Sequence, residues 1–373
     1  MSLLFTPTKI GPYSVGHRVV LAPLTRMRSE PGDVPGDLMV DYYVQRASQG
    51  GFMIAEATPV SYGGIVYAGA PGLYTDEQEA GWRRVTDAVH AKGATIFLQL
   101  WHGGRQAHPQ NMGGKLPVAP SAIRSYEKAI IKTADGEWED AEQVVPLELA
   151  TDAIAGLVAE FKDSALRAKR AGFDGVELHA ANGYLPDQFL QDGSNLRLDF
   201  YGGSIENRAR FLLEVVAAFT DVWGGDRVGV RLAPSGTFGN MSDSDPVATF
   251  SYVANALNRF GLAYLHLIEP RIRGIEDVTP ISSAISAKDL RNVFKGPVIV
   301  AGGFTRESAE QILAAGSADL VAFGRHFVSN PDLPERLRLG LPLNPYDRAT
   351  FYGGNHRGYT DYPAYAVESA NVS

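Results

Sequence analysis

Cysteine is absent from all 373 residues of the chain. Disulfides, thiolate nucleophiles, iron–sulfur clusters and Cys-based zinc sites are excluded together. A basic surplus is lacking too. The 34 Lys and Arg stand against 42 Asp and Glu, a formal charge of −8, whereas a nucleic-acid partner needs a basic face. No apolar run reaches the length of a membrane span. The start, Met1-Ser2-Leu3-Leu4-Phe5-Thr6-Pro7, has neither the basic region nor the apolar stretch of a secretory signal. The 8 histidines make no His-x-x-x-His pair, so no metal site is expected. These absences leave a cytoplasmic protein acting on small molecules, without nucleic-acid or membrane partners, as a monomer or homo-oligomer.

What is present is a repeated alternation. Eight short apolar runs, at 18–22, 52–57, 94–99, 174–178, 227–232, 263–268, 297–301 and 319–323, read as strands. They are nearly continuous rather than alternating, as in parallel strands covered on both faces. Helix-period segments lie between them at 35–49, 76–92, 151–171, 204–223, 246–260, 286–294 and 305–315. Eight β–α units with right-handed crossovers close most simply into a (β/α)8 TIM barrel, an α/β fold occupying residues 1–373 as one domain. A doubly wound open sheet is the alternative, but no Gly-x-Gly-x-x-Gly follows the first strand.

One connection is too long for a simple loop. Trp101 to Ala150 spans about fifty residues, and such insertions are usually functional. Inside it, Lys128–Thr133 and Glu137-Trp138-Glu139 flank Ala134-Asp135-Gly136, a hairpin signal. The insertion (about 101–150) reads as a cap on the barrel mouth, with a plain surface excursion as the alternative. The tail beyond Tyr352 can pack on the barrel or on a neighbouring subunit.

Barrel chemistry sits where strands end at the C-terminal face, and the polar residues fall there. The first run leads into Pro23, Thr25 and Arg26, the second into Ala57, and the third holds Gln99 followed by Trp101 and His102. The fourth ends in His179, Asn182, Gly183 and Tyr184. His179 and Asn182 can donate to one oxygen, and the Tyr184 phenol can deliver a proton. That equipment polarises a carbonyl and protonates the carbon beside it. Gln99 suits an imide edge, or is a satisfied core amide. Arg231 on the fifth run can stabilise charge on a bound ring, or pair with Glu269. The seventh and eighth runs end in Gly302-Gly303-Phe304 and Gly324-Arg325. Loops there are the usual phosphate site of such barrels, and a helix starting at Thr305 or near Arg325 would aim amides at the same place.

Four motifs sharpen this. They are Ala22-Pro23-Leu24-Thr25-Arg26, Leu98-Gln99-Leu100-Trp101-His102, Glu177 to Leu185, and Tyr201 to Phe211. Together, and in this order, they resemble the Old Yellow Enzyme family of FMN-containing ene-reductases, over nearly the whole chain. The resemblance implies bound FMN, reduced by NADPH or NADH, and an activated alkene as substrate. It implies flavin contacts from Pro23, Thr25, Ala57, Gln99 and Arg231, with phosphate contacts from Gly302, Gly303, Phe304, Gly324 and Arg325. His179 and Asn182 would hold the substrate oxygen, Tyr184 would be the proton donor, and Tyr67, Trp101, Phe351 and Tyr352 would line the substrate cavity. Thr25 places the chain in the threonine branch; Asn182 stands where some relatives carry a second histidine. Flavin-dependent hydroxy-acid oxidases and dihydroorotate-type dehydrogenases use bases and anion clamps that this chain lacks. A flavin-binding protein without turnover stays open. An aldolase-type barrel would need a strand-end lysine, and none of the eight ends supplies one.

Overall fold

Runs such as Val19-Val20-Leu21 and Val298-Ile299-Val300-Ala301 have no exposed face. Each must be covered by a helix layer on one side and a barrel core on the other. The computed structural model of the protein describes residues 2–365 apart from Ala134, Ile275, Ile281 and Ser282. Eight strands form a closed parallel barrel: β1 (Val19–Leu21), β2 (Phe52–Pro59), β3 (Thr95–Trp101), β4 (Gly175–Ala180), β5 (Val228–Leu232), β6 (Tyr264–Ile268), β7 (Val298–Ala301) and β8 (Leu320–Phe323). Each pairs with its neighbours in chain order, and β8 returns to β1. All eight expected strands are present, and the barrel is the expected one. β2 and β3 run further at their C-terminal ends than their apolar runs imply.

The helices follow from the same patterning. In the helix Asp76–His90, Thr75 accepts from the Gln78 amide, and the Gln78 side chain accepts from the Thr75 amide, a capping box. In the helix Ile154–Arg170, the buried side includes Ile154, Leu157, Phe161, Ala165 and Ala168. Phe161 meets Phe211 and Phe219 of the helix Ile205–Trp223, with ring centroids 6.2 and 6.1 Å away. No helix among the described residues is long and apolar enough to cross a membrane.

Three further pieces finish the barrel. An N-terminal hairpin pairs Thr8–Ile10 with Tyr13–Val15 around Gly11 (φ +51°). Its Ile10 and Val15 pack into the barrel with Phe52, Phe97, Tyr264, Ile299 and Leu320, plugging one end. Three-residue strands carry no readable period, so the sequence gives no sign of this hairpin. At the other end, the insertion forms the expected hairpin. Lys128 stands opposite Glu142 and Lys132 opposite Trp138. The Thr133 amide donates to the Glu137 carbonyl at 2.9 Å across the turn; Ala134 of that turn lies outside the described residues. Lys128, Ile130 and Asp140 face the cavity at the barrel mouth, so the insertion is a cap.

The tail packs on the barrel, held by three arginines. Arg26 Nε donates to the Phe351 carbonyl and Nη2 to that of Gly358, each at 2.7 Å. Arg46 reaches the carbonyls of Val328 and Tyr359 at 2.6 and 3.1 Å. Arg28 donates to the carbonyls of Arg26, Thr350, Phe351, Asn355 and Arg357, and its guanidinium lies 4.5 Å from the Tyr359 ring centre. Tyr359 stacks on Tyr42 at 4.2 Å. Arg28→Met takes the charged donor from the Arg26, Asn355 and Arg357 carbonyls and leaves those of Thr350 and Phe351 to Arg26 alone. It is expected to cost about 3 kcal/mol in denaturant unfolding and to speed hydrogen exchange over 350–359. An unchanged midpoint and unchanged exchange would contradict this role for Arg28.

Candidate active site

The loop after β4 is built to hold three side chains still. Asn182 (φ +57°) and Gly183 (φ +70°) both take left-handed backbone, which asparagine tolerates better than most residues. A Cβ on Gly183 would lie 2.7 Å from the Phe238 carbonyl oxygen, so the position needs glycine on two counts. The Gly183 amide donates to Asp187 at 2.9 Å, and its carbonyl accepts from Gln188 Nε2 at 2.7 Å. Gln188 also donates to the Gly103 carbonyl at 3.0 Å, tying this loop to the one after β3. Tyr184 then precedes the short helix Leu185–Leu190.

Burial sets the protonation of this group. It pushes the His179 imidazole well below its ordinary value, helped by the positive charge of Arg231 and by His266; His179 is neutral at physiological pH. Burial also pushes the Tyr184 phenol well above its ordinary value, helped by Tyr67. The Tyr67 phenol thus acts on Tyr184 from the same wall of the cavity. Tyr184 is therefore a neutral acid with its proton in place.

These residues face a cavity of about 410 Å³ at the barrel mouth. It adjoins a second of about 110 Å³, and the two share Leu24, Arg231, Gly274 and Arg325. His179, Asn182, Tyr184, Tyr67, Phe351 and Tyr352 line the larger one, together with Pro23, Thr25, Ala57, Gln99 and Arg231. Ala57 owes its place to a bulge: between Ala55 and Thr58 the β2–β3 register slips by one residue. Arg231 stands opposite His179 in the β4–β5 register, with its Nε buried and unpartnered. No ion pair joins it to Glu269 among the described residues; the Glu269 carboxylate accepts from the Ala287 amide at 3.0 Å instead. Gln99 is both things that its position allowed. It lines the cavity and donates to Glu177 Oε1 at 2.7 Å.

Gly302, Gly303, Phe304, Gly324 and Arg325 line the smaller cavity. Gly302 (φ +148°) and Gly303 (φ +63°) have backbone that favours glycine. A Cβ on Gly302 would lie 2.7 Å from Glu269 Cβ. Of the two helix starts considered, the one at Thr305 is closed by its own box, the Ser308 amide donating to Thr305 Oγ1 at 3.3 Å. The start at Gly324, before the short helix Arg325–Ser329, has no side-chain cap. Arg325 grips Asp277 with both Nη atoms, at 2.6 and 2.7 Å.

Trp101 is fully buried, edge-on to Tyr184 at 4.8 Å and tilted against Tyr67 at 5.9 Å, so it backs the wall that the two tyrosines form. Several lining residues carried no signal in the sequence. Glu127, Lys128, Ile130 and Asp140 come from the cap, and Phe238 from the loop after β5. Gly274 belongs to a hairpin, Ile272–Arg273 with Glu276–Asp277, after β6. That strand's end was silent in the sequence, yet it supplies Asp277 for Arg325 and Arg271, whose Nε donates to the Gly302 carbonyl.

Known proteins resemble this chain over nearly its whole length. A flavin oxidoreductase of Emericella nidulans is 48% identical, over 96% of this chain and 97% of its own. The 12-oxophytodienoate reductase 2 of Arabidopsis thaliana is 45% identical, over 97% of this chain and 95% of its own. The solved structure of morphinone reductase in complex with tetrahydroNAD has a TM-score of 0.92 at 48% identity, covering 97% of this chain and 98% of that one. Residues 3–344 match the family described as NADH:flavin oxidoreductase / NADH oxidase. Sequence, barrel and relatives agree that the chain belongs to this family, and within it to the Old Yellow Enzymes.

Proposed function

We propose that the protein is an FMN-dependent ene-reductase that takes electrons from a reduced nicotinamide dinucleotide and reduces an alkene conjugated to a carbonyl or nitro group. One observation carries this reading. A tied-down loop presents His179, Asn182 and Tyr184 to a cavity that Thr25, Gln99 and Arg231 also line.

The residues fit FMN. Arg231 Nε and Arg271 Nη2 are buried donors without protein partners, and Gly302-Gly303 leaves backbone open to a close ligand. Pro23, Thr25, Ala57, Gln99 and Arg231 would hold the ring. Gly302, Gly303, Phe304, Gly324 and Arg325 would hold the phosphate side. FMN, when bound, supplies the hydride that goes to the substrate's β-carbon.

The chain's own part is polarisation and proton delivery. His179 and Asn182 donate to the activating oxygen, and the bonds strengthen as negative charge develops there. One such donor is typically worth about 3–4 kcal/mol. Tyr184 gives its proton to the α-carbon, help worth roughly 10²–10⁴-fold. Trp101, buried behind Tyr184 and Tyr67, keeps their rings in place. Arg231 balances negative charge on the reduced ring. The relative bound to tetrahydroNAD makes NADH the first reductant to test beside NADPH.

An anaerobic titration tests the whole reading. Adding NADH or NADPH should bleach the flavin's visible band, and 2-cyclohexenone should restore it. A protein that takes up no FMN would overturn the proposal; bleaching without recovery would replace it with a flavin reductase whose acceptor differs. Tyr184→Phe should slow reoxidation by the enone about 10²-fold or more while leaving flavin reduction nearly unchanged. An equal loss in both half-reactions would remove Tyr184 as proton donor. The protonation states give a third expectation. His179, held well below its ordinary value, stays neutral across the neutral range, and Tyr184, held well above its own, keeps its proton there. The enone half-reaction should therefore be flat between about pH 6 and 9 in stopped flow. A limb in that window that vanishes in Tyr184→Phe would contradict the assignment.

A further inference from the structure

Beneath the cavity lies a buried carboxylate that the chemistry above does not use. Glu177 is on β4, two residues before His179, and is fully buried. Its register partner on β3 is Gln99. Oε1 accepts from Gln99 Nε2 at 2.7 Å, and Oε2 meets His266 Nδ1 at 2.9 Å. Arg231, next to His266 in the β5–β6 register, is close enough to interact with its charge. Burial pushes this carboxyl up, but His266, Arg231 and Gln99 outweigh it and hold the group below its ordinary value. Burial pushes His266 down, against the pull of Glu177.

Two consequences follow from elementary chemistry. A carboxylate only accepts hydrogen bonds, whereas a carboxamide has one accepting and one donating end of nearly equal shape. Glu177 thus forces the Gln99 amide to turn its nitrogen inward. The carbonyl oxygen and the second N–H remain for the cavity, the complement of an imide edge. Glu177 is also a carboxylate whose charge reaches Arg231, so the two buried charges sum to about zero before any ligand arrives. In low-dielectric surroundings a charge at this range is felt strongly.

We propose that Glu177 is a positioning residue that orients Gln99 toward the flavin's pyrimidine edge and, by opposing Arg231, sets the reduction potential of the bound FMN. This rests on FMN occupying the cavity as proposed above. Removing the negative charge leaves Arg231 unopposed, which favours the anionic reduced ring and raises the potential. Replacing the acceptor-only carboxylate by a carboxamide, which can meet either end of Gln99, lets the Gln99 amide turn over, which weakens FMN binding.

The test uses the holoenzyme and two variants. In Glu177→Gln, the ratio of reduced to oxidised FMN at a fixed poise should rise about tenfold, and the visible band should shift as pyrimidine hydrogen bonding changes. In Glu177→Asp, which keeps the charge but draws it back, the potential should stay near that of the wild type while the FMN dissociation constant rises about fivefold or more. Glu177→Gln should add little further loss of FMN affinity in a Gln99→Leu background, since the orientation it controls is gone. If Glu177→Gln lowers the melting temperature but leaves potential, spectrum and affinity unchanged, Glu177 is merely structural and the proposal fails. If Glu177→Gln does not fold, an aspartate variant with wild-type FMN affinity would overturn the positioning role by itself. A wild-type protein that binds no FMN would instead sink the functional reading on which this rests.

Discussion

The register of β4 against its two neighbours is the constraint on which the rest depends. Glu177 faces Gln99 on β3, and His179 faces Arg231 on β5. In a parallel barrel, successive side chains alternate between the interior and the helix layer. Two residues along β4 therefore carry the chain from the layer that holds Gln99 to the layer that meets substrate. A slip of one residue would turn His179 and Glu177 outward together and bring Val176 and Leu178 inward. Val176 and Leu178 belong to the main apolar cluster, so that slip would bury charge and lose apolar packing at once.

The site is polar, and the molecule holds it at a cost. Burial pushes Glu56 and Asp187 each up to about 7. Asp187 nonetheless ties down the Gly183 amide, and Glu56 accepts from the Arg26 amide at 3.1 Å and from Tyr43 at 3.2 Å. Each carboxyl sits beside a lining segment rather than in the cavity, trading some stability for fixed geometry. Arg26, Arg28 and Arg46, which hold the tail, bury their charges against main-chain carbonyls. They bring Phe351 and Tyr352 to the cavity without a regular element to carry them.

Much of this was legible in the sequence because the barrel is a repetition. Eight buried strands need eight apolar runs, and the helices between them need an amphipathic period, so each unit announces itself locally. The strand ends were legible for the same reason: Gln99, His179, Arg231 and Gly302-Gly303 break apolar runs where nothing else would. The cap hairpin was readable from its turn residues around Gly136. The N-terminal hairpin and the Ile272–Asp277 hairpin were not, since strands of two or three residues have no period.

The amino-acid sequence by itself determined the fold, the order of its units, the loop from His179 to Tyr184 and the family, because these rest on local patterning and on motifs contiguous in the chain. Tertiary structure alone decided which groups meet. Trp101 came edge-on to Tyr184, Arg231 was left without Glu269, and Asp277 came to Arg325 across 48 residues. Glu177 came between Gln99 and His266, 78 and 89 residues away. Such partners are chosen by barrel closure and register, which sum small preferences over the whole chain, so no local stretch encodes them.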